Sequence, residues 1–252
     1  MTYSMIARCG ETGAFGGVVG TSSLAVGNRC LKVRHGVGAA LSQHRTDPRL
    51  AETALALLEA GRTAEDALAA IVADAPGREW RQLALLDRAG AAAAFHGRML
   101  YSIHGHAVGR DCVAIGNILG HDGVPAAMVA SFEAMAAAPL AARLAAALEA
   151  GRDAGGEVLA PLRSAALVVS GPDGVDAVDL RVDMADEAAA ALAALLRAYG
   201  GEATGLRRVA LDPDAVPVSR RLFEASVERI AALGLEDRFP TARRRSDWRL
   251  SD

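Results

Sequence analysis

A threonine directly follows the initiator methionine, and this arrangement can create a nucleophile at a chain terminus. Removal of Met1, which is generally permitted before a small residue, would leave Thr2 with a free α-amine. Such an amine has a pKa of about 8, so near neutral pH it can accept the proton of the threonine hydroxyl. The pair therefore predicts a nucleophile for attack on a carbonyl, with an ordinary strand-end threonine as the alternative.

Two further side chains could assist this nucleophile. Asn117 follows Gly116 where the pattern indicates a turn after a strand, and its amide could stabilise an oxyanion or its backbone could simply be left-handed. Ser23, after the second predicted strand, would bring a hydroxyl near Thr2 if the first two strands form a hairpin, although it equally suits a turn. We expect Thr2, Asn117 and Ser23 to form the catalytic group.

A second set of residues has side chains suited to holding a substrate. His35 precedes a predicted strand and could serve as an acid or base, or lie on the surface. Arg81 and Gln82 begin another strand, where the guanidinium fork could bind a carboxylate. An internal ion pair of Arg81 with Glu79 or Asp87 is the alternative.

Histidines also occur at alternate positions, and alternate residues of a strand share one face. His104 and His106 have this spacing, with Asp111 five residues further on, but no additional ligand is evident and we expect no metal. His106 remains a candidate for substrate binding. The glycine-rich stretch 13–17 lacks the spacing and the lysine of a phosphate-binding loop, so we expect no cofactor.

Composition limits the other classes of function. The 252 residues carry a net charge of −3 and 4% aromatic side chains, which argues against phosphate binding and base stacking. No apolar run reaches the roughly 18 residues that span a bilayer. The three cysteines form no metal or disulfide pattern, and no secretory signal is evident. We expect a cytoplasmic protein that acts on a small molecule, without nucleic-acid or membrane partners.

Turn and cap signals divide the chain into hairpins and helices. Strands are predicted at 4–8, 15–20, 36–41, 81–87, 91–95, 112–115, 164–170 and 176–182. Helices are predicted from Asp47, from Thr63, and at 124–137, 139–151, 186–199 and 219–233, with an irregular break at 200–217. This order indicates an α+β fold, a four-layer αββα sandwich with mostly antiparallel sheets.

The predicted break separates a domain at 1–200 from a C-terminal extension at 201–252. The apolar face of the last predicted helix and Trp248 would need covering, which the main domain or a second subunit could provide. A homo-oligomer, such as a homodimer, is therefore expected. The basic run Arg243–Arg245 is short and favours a solvated surface.

Five segments occur in an order that resembles the bacterial DUF1028 family, which is classed as Ntn-hydrolase-like. They are Tyr3–Arg8 with Glu11-Thr12-Gly13, Arg78–Leu83, Gly105-His106 with Gly116–Leu119, Gly155–Glu157 with Ser164–Leu167, and Asp179–Asp183. The resemblance covers about residues 2–200 and implies an αββα fold and hydrolysis by an N-terminal nucleophile. Cys9, Glu157 and Met184 stand where the family usually has aspartate, which indicates a subgroup with its own substrate.

Together these observations predict an amidohydrolase of the Ntn type that cleaves a C–N bond in a small molecule, with Thr2 as nucleophile. The departures at Glu157 and Met184 support an alternative of another class, in which the fold is kept as a non-catalytic module for ligand binding or assembly.

Overall fold

Ten strands form two sheets in a computed structural model that describes residues 2–159, 161–240 and 248–251. In chain order they are β1 (Thr2–Arg8), β2 (Phe15–Thr21), β3 (Leu31–Arg34), β4 (Gly38–His44), β5 (Arg81–Asp87), β6 (Ala92–His96), β7 (His104–Gly109), β8 (Cys112–Asn117), β9 (Ser164–Val169) and β10 (Val178–Val182). The larger sheet has the order β10-β9-β2-β1-β8-β7 and the smaller β3-β4-β5-β6. Neighbouring strands in both sheets are antiparallel.

Six helices complete the described part of the chain. They are α1 (Pro48–Glu59), α2 (Ala64–Asp74), α3 (Val124–Ala134), α4 (Leu140–Asp153), α5 (Ala188–Leu211) and α6 (Arg220–Ala232). The sequence marks the first two starts clearly, because the side chains of Asp47 and Thr63 accept hydrogen bonds from the backbone N–H groups of Arg49 and Asp66. Pro48 occupies the first turn of α1, where a missing N–H costs nothing. No described helix has the length and apolarity needed to cross a membrane.

The two sheets pack face to face and each carries a pair of helices on its outer face, which gives the expected four-layer αββα sandwich. An apolar cluster between the sheets contains Ile6, Phe15, Leu41, Leu86 and Ile115. A second cluster lies between the larger sheet and α3 and α4, and a third between the smaller sheet and α1 and α2. Each buried aliphatic side chain of this size stabilises the fold by about 1.5–3 kcal/mol.

Contacts divide the chain into two compact units, residues 1–201 and 202–252. Within the second unit, Ser219 caps α6, and a short parallel pair joins β11 (Val218–Ser219) to β12 (Leu250–Ser251). The rings of Phe223 and Trp248 lie 6.0 Å apart. The basic run 243–245 falls outside the described residues, and the expected self-association remains a prediction.

The structure corrects the predicted elements at three places. Strands β3 and β7 were not predicted, because each is short and carries several polar or glycine residues. The predicted break at 200–217 is wrong for its first part, since α5 continues to Leu211. Gly200 and Gly201 cost about 1 kcal/mol each in a helix, yet the alanines and leucines on both sides are strong helix formers.

Candidate functional site

Thr2 is the first residue of β1, and this strand lies in the middle of the larger sheet. Its register partner on β8 is Asn117, and on the other side Tyr3 pairs with Gly20 of β2. Because side chains alternate along a strand, Thr2 and Ser4 share the face of Ile6, which packs between the two sheets. Thr2 is only 6% exposed. A potential nucleophile is therefore enclosed between the sheets at one end of the sandwich.

Asn117 is the last residue of β8 and is fully buried. The prediction of a turn at Asn117 is wrong, because the left-handed residue is the next one, Ile118, with a φ of 53°. Directly opposed residues of antiparallel strands have Cβ atoms roughly 4.5–5.5 Å apart, so the Asn117 amide lies beside Thr2. Its Nδ2 donates to Gln82 Oε1 at 2.8 Å, and its Oδ1 has no partner in the described part of the chain.

Gln82 is the centre of a buried polar network that connects the two sheets. Its Oε1 accepts from Gln43 Nε2 at 2.6 Å as well as from Asn117. Its Nε2 donates to the Gly116 carbonyl at 2.7 Å and lies 2.9 Å from His96 Nδ1. Gln82 thus uses both amide hydrogens and both lone pairs, and it fixes the orientation of Asn117.

The network extends from this centre in two directions. On the larger sheet, Ser4 Oγ donates to Gln43 Oε1 at 2.7 Å. Towards the surface, His96 Nε2 lies 3.0 Å from His106 Nδ1. Since Gln82 donates to His96 Nδ1, His96 carries its proton on Nε2 and donates it to His106. Sequence analysis therefore identified Gln82 and His106 but did not find their link to Ser4, Gln43 and His96, which depends on strand pairing across the two sheets.

Burial keeps His96 neutral. Loss of solvation, followed by the nearby His106 and His104, lowers the pKa of His96 from 6.5 to about 4. A neutral ring is required if Nδ1 is to accept from Gln82. Among the described residues, no group of three or more histidine, cysteine or acidic side chains is arranged to hold a metal ion.

This shifted pKa predicts a pH-dependent stability. Between about pH 6.5 and pH 4 the unfolded chain binds a proton at His96 that the folded chain does not, so the free energy of unfolding falls as the pH falls. We expect His96→Gln to flatten this dependence, as measured by urea unfolding at several pH values in that range. The exposed His121→Gln is the control, and an equal flattening in both variants would contradict the prediction.

Ser23 lies beyond the end of β2, because this strand ends at Thr21. The Ser23 hydroxyl lies 3.2 Å from Thr21 Oγ1 and accepts from the Arg29 guanidinium at 2.6 Å. Gly20 pairs with Tyr3 in the sheet, and the buried hydroxyl at the next position of β2 belongs to Thr21 and not to Ser23. Ser23 touches this hydroxyl from outside the strand.

The structure does not bring His35 and Arg81 into this group. His35 lies in the turn between β3 and β4. Gln43 is near the other end of β4, roughly 17 Å from the start of that strand at the usual rise per residue. Arg81 precedes the inward-facing Gln82 and so faces the other side, where its guanidinium donates to the carbonyls of Arg45 and Pro76.

Glu157 is a buried carboxylate near the start of β1 that sequence analysis noted only as a departure from the family pattern. It is 4% exposed, and its Oε2 accepts from the Ser22 backbone N–H at 3.0 Å. Burial raises the pKa of this carboxyl, while hydrogen bonds from Ser22 and Thr21 partly offset the rise. Its Oε1 has no hydrogen-bond partner within the described ranges.

The fold and this cluster define an αββα sandwich with a buried polar site at the beginning of its first strand. The chain belongs to the DUF1028 family, a family of unknown function whose model matches residues 2–192. A crystal structure of a DUF1028 protein from Silicibacter pomeroyi is similar, with 36% sequence identity, a TM-score of 0.73, and coverage of 79% of this chain and 85% of that one.

A weaker similarity links the chain to Anbu, the ancestral β-subunit of Yersinia bercovieri. The identity is 9% and the TM-score 0.37, over 81% of this chain and 96% of that one. No curated protein sequence matches this chain.

Proposed function

We propose that the protein is an Ntn-type amidohydrolase that cleaves a C–N bond in a small molecule, with Thr2 as nucleophile once Met1 is removed. The observation that carries this proposal is the register of β1 and β8, which sets Thr2 beside Asn117 while Gln82 holds the Asn117 amide. Hydroxyl and amide then occupy fixed positions in a site from which water is largely excluded, where a preorganised donor stabilises charge most strongly.

The proposed reaction uses the hydroxyl and α-amine of Thr2 and the side-chain amide of Asn117. The Thr2 α-amine takes the hydroxyl proton as Oγ1 attacks the substrate carbonyl carbon, and the C–O π electrons move to oxygen. Asn117 Nδ2 carries two hydrogens, of which one is used by Gln82, so the second is available to the oxyanion. As the C–N bond breaks, the ammonium returns its proton to the leaving nitrogen, and water activated by the same amine hydrolyses the resulting ester.

A second candidate function is a non-catalytic module that binds a ligand or a partner. It is supported by the burial of Thr2, which is 6% exposed and would have to open to admit a substrate. In this alternative the polar network is retained because breaking it would leave buried groups unpaired.

The intact mass of the untagged protein, measured together with amine release from a panel of small amides, tests the proposal. We expect the mass to be lower by one methionine and at least one amide to be cleaved. A retained methionine would remove the free Thr2 amine and with it the mechanism, and the binding module would then be the better account.

A further inference from the structure

A partly open cavity of about 140 Å³ lies on the face of the larger sheet that is opposite the Thr2 side chain. Tyr3 contributes to it, and alternation along β1 directs Tyr3 towards the helices while Thr2 faces the other sheet. The other walls include Arg152, Glu157, Leu162 and Glu187. None of these side chains takes part in the steps proposed for Thr2.

Two of the residues that line this cavity have a buried polar atom without a partner. The Tyr3 hydroxyl and Glu157 Oε1 are buried, and neither has a hydrogen-bond partner in the described ranges. Their side chains belong to residues that are 0% and 4% exposed. A buried polar group without a partner costs about 1–3 kcal/mol, so two of them in one cavity indicate that a ligand supplies the missing bonds.

The charges around the cavity are of both signs and point to a ligand with both. Negative charge comes from Glu157 and Glu187, and the cavity also adjoins the C-terminal end of α4, where the helix dipole favours a cation. Positive charge comes from Arg152, which lowers the pKa of Tyr3 where the two glutamates raise it, and whose Nε also donates to Asp153 Oδ1 at 2.8 Å. Burial, and then the Glu157 charge, raises the pKa of Tyr3, so its hydroxyl stays neutral and can both donate and accept.

We propose that this cavity binds a small amino-acid-like zwitterion, with its ammonium group on Glu157 and Tyr3 and its carboxylate on Arg152. An ammonium donates three hydrogen bonds, which suits Glu157 Oε1 and the Tyr3 oxygen. Arginine is the side chain best suited to hold a carboxylate. In this arrangement the ligand supplies hydrogen-bond partners for the two unpartnered atoms.

The size of the cavity favours small members of this class. Its volume is about 140 Å³. Apolar side chains, those of Leu162 and Ala189, also line the cavity. Glycine is the smallest amino acid and is therefore the probe with which to test the site.

Titration with glycine, followed by NMR or calorimetry, tests this site. We expect saturable binding at millimolar glycine, and binding at least about tenfold weaker for methylammonium or acetate, which each carry half of the ligand's charges. Glu157→Gln and Tyr3→Phe should each weaken glycine binding by about tenfold. The exposed pair Glu65→Gln and Tyr101→Phe are matched controls that should bind glycine as the unaltered protein does.

Folding of the variants is checked by their thermal unfolding. Tyr3→Phe removes an unpartnered hydroxyl and should unfold at the same temperature as the parent chain or higher. Glu187→Gln, at an exposed position, supplies a further variant that should fold and bind more weakly. No glycine binding, equal binding of acetate, or binding unaffected by Glu157→Gln in a folded protein would overturn the proposal. Since the titration needs no turnover, its failure leaves the proposed hydrolase standing, and the reverse also holds.

Discussion

Replacing Thr2 by alanine is expected to lower amide hydrolysis by about a thousandfold or more while the chain still folds. In the proposed mechanism Thr2 is the group that forms the covalent bond to the substrate, so its loss leaves no partial step for the other residues to assist. Turnover of an amide identified in the substrate panel is the measurement, with circular dichroism to verify folding. Thr2→Ser keeps a hydroxyl on the same carbon and should retain a measurable part of the activity.

The matched control for this variant is Thr53→Ala. Thr53 lies exposed on α1, and its hydroxyl donates only to the Arg49 carbonyl of the same helix. Its removal should leave turnover unchanged. A Thr2→Ala protein as active as the Thr53→Ala protein would exclude Thr2 as nucleophile.

The second large effect is expected on stability, from replacing Gln82 by methionine. Methionine fills a similar volume but leaves three buried groups, those of Gln43, Gly116 and Asn117, and the partly buried ring of His96 without their Gln82 partner. At about 1–3 kcal/mol for each unpaired group, and with some relaxation, the free energy of unfolding should fall by about 3–5 kcal/mol. Urea unfolding measures this change.

The only other glutamine of the chain, Gln43, provides the comparison. Among the described residues its side chain bonds to Ser4 and Gln82, which are fewer partners than Gln82 has, so Gln43→Met should cost about half as much. Because the two glutamines share a hydrogen bond, the double variant should lose less than the sum of the single losses. Equal effects of the two single changes, or strict additivity, would show that Gln82 is not the centre of the network.

Local signals predicted much of the framework. The hairpin turns gave β1 with β2 and β5 with β6, and the caps at Asp47 and Thr63 placed α1 and α2, because such signals depend on neighbouring residues alone. The strands that were missed, β3 and β7, have no such signal and are held by their partners. Helix α5 continues past two glycines because the helix propensity of the flanking residues outweighs the free-energy cost of the glycines.

The site was less predictable than the framework for the same reason. Thr2, Gln82, Asn117 and His106 were proposed from residue type, but the contact between Asn117 and Gln82 joins two sheets and 35 positions of sequence. No local sequence pattern shows which strands of two facing sheets will lie against each other, so Gln43 and His96 could not be assigned to the site from the sequence. Arg81 was proposed from its residue type but lies outside the site, because its position next to Gln82 places it on the opposite face of the strand.

The central position of β1 has a consequence for synthesis of the chain. During translation β1 and β2 emerge first, but β8 follows about 100 residues later and β9 later still. At ribosomal rates of about 5–20 residues per second, both edges of this hairpin remain unpaired for roughly 5–20 seconds or more. In that interval the open edges can bind other nascent chains. The place of β1 in the middle of the sheet therefore lengthens the period in which each nascent chain can aggregate.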